Sequence, residues 1–202
     1  NLVIGSKNSP FMLKSDAMHA SFWTATPQNI WRDNIATGSE DRGMWFEFCD
    51  AESRVCDNTG PTIEFSGNSF HHNNGIGWRN YPHYLPSKPQ FFHNNTFHHN
   101  GGNGVFGKKY GDVHHVNSFW VENNVDLNWK KFPNANPDSY FIPNVQDSLF
   151  ISETSSKLAI FAPQHEFWYA SGVTFKGYGN NAIGTIAGCN GDFESSLSSC
   201  KY

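Results

Sequence analysis

The sequence predicts an all-β chain, a right-handed parallel β-helix with Pro-rich side loops. Three observations predict it. Aromatic residues are abundant, a short Asn-x-Phe motif recurs along the chain, and Gly, Asn, Asp and Pro interrupt every apolar run before it reaches helical length. Of 202 residues, 16% are aromatic, with 18 Phe and 7 Trp, and 16% are charged. Apolar residues make up only 38%, yet each aromatic ring buries a large area, so a packed core remains available. No long stretch carries the 3.6-residue amphipathic period of a helical solenoid.

The repeat is clearest in "NSFHHNNGIGW" from Asn68 and "NTFHHNGGNGVF" from Asn95. The template Asn-x-Phe-x-x-Asn fits Asn68 to Asn73 and Asn95 to Asn100. Looser copies are Asn117-Ser-Phe119-Trp-Val-Glu122, Asp147-Ser-Leu149-Phe-Ile-Ser152, Asn29-Ile-Trp31-Arg-Asp-Asn34 and the segment around Phe175. The anchors Phe70, Phe97, Phe119, Leu149 and Phe175 lie 27, 22, 30 and 26 residues apart, the length of one β-helix coil. Coils stack at about 4.8 Å, so equivalent residues form ladders. Phe is expected on Phe inside, and Asn on Asn at turns, where the amides satisfy buried backbone groups. Phe70, Phe97, Phe119 and Leu149 are therefore expected in one inward column. Strand alternation then sends His72 and His99 inward with Val121 and Ile151, and His71, His98, Trp120 and Phe150 outward. The His-His pairs read as products of the repeat. No metal site is expected, because stacked His71 and His98 supply two nitrogens and no repeated third ligand is evident. No cofactor is expected either.

Taken in order, "NLVIGS" and "PFMLKS" read as strands of an incomplete first coil. "SFWTATPQNIWRDNIATGSEDRGMWFEF" reads as a coil whose turn "GSEDRG" exposes Asp41 and Arg42 to water. "CDAESRVCDNTGP" reads as an excursion stapled by Cys49 and Cys56, and the best coils occupy residues 62–131. "YPHYLPSKPQ", "KFPNANPDSYFIP" and "APQHEFWY" are Pro-rich loops, and "GCNGDFESSLSSCKY" caps the coils or leads onward. No Gly/Ser linker divides the chain, so residues 1–202 are read as one domain, a part of a longer extracellular protein. The cysteines form two local pairs, Cys49 with Cys56 and Cys189 with Cys200, which suggests two disulfides and an oxidising compartment. Asn94-Asn95-Thr96 is an N-glycosylation sequon at Asn94. No run of about 18 apolar residues is present, so no membrane span is expected in this segment. The net charge of -4 gives no basic footprint for nucleic acid.

Ser15-Asp16-Ala17, Phe22-Trp23, Pro27-Gln-Asn29, Thr37-Gly38-Ser39-Glu40 and Gly43-Met-Trp45 together resemble the parallel β-helix region of fibrocystin-like proteins and of the cell-migration-inducing hyaluronan-binding protein family. Thr37 stands where that family usually has Ala. The ending "VTFKGYGNNAIGTIAGC" is similar to the family's last coils. The resemblance implies an extracellular or cell-surface location. Some family members bind or depolymerise hyaluronan, whereas the fibrocystin-like ones are surface proteins. No catalytic residue is carried over from it.

Glycan cleavage by acid–base chemistry needs two carboxyls about 5–10 Å apart across one groove, and a lyase needs a base beside the proton to be removed. Asp16, Asp33 and Glu40 are the candidates in the family-like block, while Glu64, Asp112, Glu122 and Asp126 are scattered over different coils. No GxSxG elbow, Walker loop or HExxH occurs. Carbohydrate binding has more support. Sugars stack on flat aromatic faces and bond to Asn and His, and the expected outward ladder of His71, His98 and Trp120, with Trp78 and Tyr81 near in sequence, offers both. An aromatic-rich, weakly charged surface also suits self-association into an oligomer or filament. The expectation is a non-catalytic extracellular module that binds glycan or assembles with itself. The alternative is a glycoside hydrolase or polysaccharide lyase acting on hyaluronan-like or uronate-containing glycans.

Overall fold

The computed structural model describes residues 1–9, 19–48, 58–130, 142–163, 168–180 and 182–186. Among them the chain forms twenty short strands in three parallel sheets, with no helix. The first sheet holds β1 (Leu2–Ile4), β4 (Ile35–Thr37), β7 (Ser69–His71), β10 (Thr96–His98), β13 (Phe119–Val121), β16 (Leu149–Ile151) and β19 (Thr174–Lys176). The second holds β2 (Ala20–Thr24), β5 (Arg42–Phe46), β8 (Trp78–Asn80), β11 (Asn103–Gly107), β14 (Val125–Trp129), β17 (Leu158–Pro163) and β20 (Ile183–Ile186). The third holds β3 (Ile30–Arg32), β6 (Glu64–Ser66), β9 (Gln90–His93), β12 (Val113–Val116), β15 (Asn144–Gln146) and β18 (Tyr169–Ser171). The chain visits first, second and third sheet in unbroken rotation, which is the parallel β-helix expected from the repeat.

The strands are short because residues in left-handed conformation end them. Where the third sheet gives way to the first, Asp33, Asn94, Asn117 and Asp147 have φ between 48° and 56°, with Gly67 and Gly172 at the equivalent place in other coils. Asn, Asp and Gly are the residues that tolerate this conformation. At Gly67 the tolerance is also steric, since a Cβ there would lie 2.2 Å from Asp33 Oδ1 in the coil below. After the first sheet the same bend falls on Gly5, Gly38, His72, His99, Glu122 and Gly177.

The core is three ladders of inward side chains. In the first sheet the aligned residues are Ala36, Phe70, Phe97, Trp120, Phe150 and Phe175. Their rings stack in sequence: Phe70 on Phe97 at 5.7 Å, Phe97 on Trp120 at 5.4 Å, Trp120 on Phe150 at 4.5 Å and Phe150 on Phe175 at 5.2 Å. This corrects the expected column in two coils. Phe119 is outward and 43% exposed, and Leu149 aligns with it, while Trp120 and Phe150 are fully buried. Asn117 pairs with Asn94, its Nδ2 donating to Asn94 Oδ1 at 2.6 Å, so these copies sit one residue out of the template. A one-residue slip exchanges the two faces of a strand, and burying the larger ring decides which register forms. The upstream copy is also corrected: Trp31 belongs to the third sheet, paired with Phe65.

Asparagine ladders run beside the aromatic one, as expected. Asn34, Asn68 and Asn95 stack in one, each upper Oδ1 accepting from the backbone N–H and side-chain amide of the residue below at 3.0–3.1 Å. Ser118 and Ser148 continue it. A second ladder runs from Ser39 through Asn73 and Asn100 to Asn123. It ends on Asp126, which accepts from Asn123 N and Nδ2 and from the Tyr178 hydroxyl. Burial outweighs these donors and pushes the Asp126 carboxyl up to about 7. The folded state therefore holds a proton that the unfolded chain, with a carboxyl near 3.9, releases. Asp126 favours the fold fully below about pH 4, and that contribution is lost as pH rises through 7. Buried His115, held down to about 3 chiefly by burial, acts in the opposite sense, losing its contribution as pH falls from about 6.5 through 3. The Asp126 effect is thus read as a difference. The gap in unfolding free energy between Asp126→Asn and the parent should widen in the variant's favour from pH 4 to 7, by up to about 1.4 kcal/mol per pH unit. A gap that does not change with pH would show that Asp126 is ionised throughout.

The Pro-rich loop after β8 is more than a side excursion. Its Tyr84 is fully buried and its hydroxyl contacts Thr62 Oγ1 at 2.9 Å and donates to Gly60 O at 3.1 Å. The "GSEDRG" turn also differs from expectation. Arg42 is buried at the start of β5, paired with Asp41 and lying over the Trp45 ring at 5.0 Å. Asp16, Cys49, Cys56, Cys189 and Cys200 lie outside the described residues, as do "KFPNANPDSYF" and the "QHEF" of "APQHEFWY".

Candidate functional site

Two outer surfaces carry clustered polar and aromatic groups. The first is the corner after the first sheet, where both His-His pairs lie. His71 and His98 are aligned across β7 and β10 and stack at 4.4 Å, 9° from parallel. His72 and His99 were expected inward, but the left-handed bend at each turns the chain before alternation completes, and both are exposed. They stack in turn at 5.0 Å and 4°. Within each pair the Nδ1 atoms face one another, at 2.9 Å for His71 and His72 and 3.1 Å for His98 and His99. Thr37 Oγ1 lies 3.1 Å from His71 Nδ1. The result is a two-by-two array of imidazoles on one outer corner. Partial burial, then the neighbouring rings, hold His98 down to about 4, and the same causes lower His71, so both rings are neutral at pH 7.

The second surface is the outer face of the third sheet. Phe91, 49% exposed, lies 4.7 Å from the His114 ring and 6.1 Å from that of His93. Asp112 Oδ1 orients His114 through Nε2 at 2.6 Å. Ile30 and Tyr169, 58% and 56% exposed, lie toward the two ends of the same face. The sequence signal for Phe91 was available: in Phe91-Phe92 on one strand only one ring points inward, and Phe92 is the buried one.

Of the residues expected to hold glycan, His71 and His98 are outward and adjacent. Trp120 and Trp78 are not: both are fully buried, Trp120 in the first-sheet ladder and Trp78 against Phe46 and Phe65. Their rings are core, and no sugar stacks on them. Tyr81 is half-buried, with the Arg79 guanidinium and Lys108 Nζ each 4.2 Å from its ring centre, and Lys108 Nζ donates to its hydroxyl at 2.8 Å.

The carboxylates are largely occupied. Glu64 pairs with Arg32, which holds its carboxyl down to about 2. Glu122 pairs with Lys157 at 2.7 Å, and Glu40 accepts from Asn8 N at 3.0 Å. Asp33 and Glu40 are both exposed but sit beyond opposite ends of β4, with about 10 Å of extended strand between those ends.

Residues 4–64 match the family model described as the CEMIP beta-helix. The β-helix coils within residues 4–64 are therefore similar to a CEMIP beta-helix. It is also similar to mouse Fibrocystin-L, at 28% identity over 92 residues, 43% of this chain and 2% of that protein's length. The chain thus spans a very small part of this curated relative. The CEMIP-like match runs from the end of β1 to the start of β6, through the coils that include Asp33 and Glu40, and stops before the histidine array.

Proposed function

We propose that this chain is a non-catalytic β-helix module of an extracellular or cell-surface protein and that it binds glycan on the outer face of the third sheet. The observation that carries this reading is Phe91, an exposed flat ring flanked by two imidazoles on a rigid sheet. A sugar's C–H face stacks on such a ring, while exposed His93 offers a ring nitrogen to its hydroxyls. The engagement of the carboxylates in ion pairs and ladders favours binding over cleavage. The similarity to a CEMIP beta-helix and to Fibrocystin-L supports the extracellular placement. That placement predicts the Cys49–Cys56 and Cys189–Cys200 disulfides and a glycan on Asn94, which is exposed at a corner.

The test incubates native protein with a panel of acidic and neutral polysaccharides, measuring retention and chain length together. Binding without shortening is expected, weakened about five- to tenfold by Phe91→Ala, the loss of one stacking contact worth about 1–1.4 kcal/mol. Shortening abolished by Asp16→Ala, Asp33→Ala or Glu40→Ala would establish a depolymerase instead. Intact mass before and after reduction and deglycosylation reads the compartment, and four free thiols with bare Asn94 would count against it.

A further inference from the structure

We propose that His71, His72 and His98 form a surface site for one borderline transition-metal ion, zinc(II) or copper(II). Each offers a ring nitrogen, and the three nitrogens lie within 4.8 Å of one another. A tetrahedral zinc ion with bonds of about 2.0–2.1 Å places its nitrogens roughly 3.3 Å apart. His71 and His72 already hold Nδ1 atoms at 2.9 Å, so that pair needs little change to become a bite. His98 closes the remaining distance by side-chain rotation, and water completes the shell.

The frame is built in advance. His71 and His98 are register partners on hydrogen-bonded strands, and the left-handed backbone of His72, φ 53°, aims its ring to the same side. This bend supplies the third ligand that strand alternation alone denied. His99, its Nδ1 3.1 Å from that of His98, stands beside the site as a further donor. Three imidazoles select zinc or copper over the hard cations magnesium and calcium, which prefer oxygen. Thr37 Oγ1 gives up its contact with His71 Nδ1 when the ion binds. The simpler reading is that each Nδ1 pair shares a hydrogen bond and the stacks follow from the repeat. That reading predicts no ion. The site is separate from the proposed glycan face and does not rest on it.

The test titrates zinc(II) into the protein, freed of any histidine tag, in competition with a chromophoric chelator. One equivalent is expected to bind. His72→Ala and His98→Ala should each weaken it at least about tenfold, since even outer-shell changes cost 10–100-fold, while His93→Ala should leave it unchanged. His72 is exposed, so its replacement leaves the core intact. X-ray absorption of the zinc-loaded parent protein gives a readout free of mutation, and three imidazoles in the inner shell are expected. An absence of stoichiometric binding, unchanged affinity in His72→Ala, or an all-oxygen inner shell would each overturn the proposal.

Discussion

Trp120→Ala is expected to destabilise the fold by about 3–5 kcal/mol, the cost of emptying a large buried aromatic site. Trp120 is fully buried, with Phe97 at 5.4 Å on one side and Phe150 at 4.5 Å and 4° on the other. The His115 ring meets it edge-on at 5.5 Å. The rings above and below are carried on strands tied to β13 by parallel ladders. They cannot move together to fill the space without breaking backbone hydrogen bonds, so little of the cavity collapses. Phe119→Ala on the neighbouring residue is expected to cost under about 1 kcal/mol, because a ring on the outer face leaves no cavity when truncated. Denaturant unfolding of the two variants side by side decides the register. If Phe119→Ala proved the costlier, β13 would be paired one residue away from the alignment seen here. A loss of glycan retention in Trp120→Ala that tracked its unfolding would report the core, not a sugar contact.

The fold was legible because each coil repeats the same few physical demands: a ring inside, an amide at the turn, and a residue that tolerates a left-handed bend. Those demands leave the Asn-x-Phe signature in two adjacent coils and a weaker trace in the others. Register in the weaker copies was not legible from spacing alone. In Asn117-Ser118-Phe119 the asparagine occupies the bend, as Asn94 does, and Ser118 replaces Asn95 in the ladder. Aligning Asn117 with Asn94 instead of Asn95 brings Trp120 over Phe97, and a preference for burying Trp would have favoured that choice. The directions of His72 and His99 were hidden for a different reason. Alternation holds only within a strand, and both residues lie just past a strand end, at a bend usually taken by Gly, Asn or Asp. Nothing in "FHHN" marks the second His as the bend except its place opposite Gly38 in the preceding coil. The candidate glycan surface suffered from the same slip, which exchanged buried Trp120 for exposed Phe119, and Phe91 was passed over because its strand carries no Asn-x-Phe copy.

Asn100→Ala is expected to cost about as much as the loss of a core ring, although it removes only a small polar side chain. Asn100 is 2% exposed and makes four hydrogen bonds. Its Oδ1 accepts from Asn73 N at 3.2 Å and Asn73 Nδ2 at 2.9 Å. Its Nδ2 donates to Phe70 O at 3.0 Å and Asn123 Oδ1 at 2.8 Å. Alanine removes all four and leaves partners in the two adjoining coils, Phe70 and Asn73 in one and Asn123 in the other, without this side chain. An unsatisfied buried group costs about 1–3 kcal/mol, and the losses do not simply add, so roughly 3–5 kcal/mol is expected in total. Asn100→Ser should fall between the parent and alanine, since Ser118 and Ser148 show that a hydroxyl can accept the backbone N–H in the neighbouring ladder, but serine cannot span to both coils as the amide does. Asn100→Asp should resemble alanine at neutral pH, because a carboxylate keeps the acceptor toward Asn73 but cannot donate to Phe70 O. Hydrogen exchange adds a local reading. The Asn73 amide should lose protection in Asn100→Ala by more than amides in β19, four strands away in the sheet order from β7. Equal loss at both places would mean that the coils unfold only as one unit, and a cost below about 1 kcal/mol would show that the ladder follows the fold without holding it.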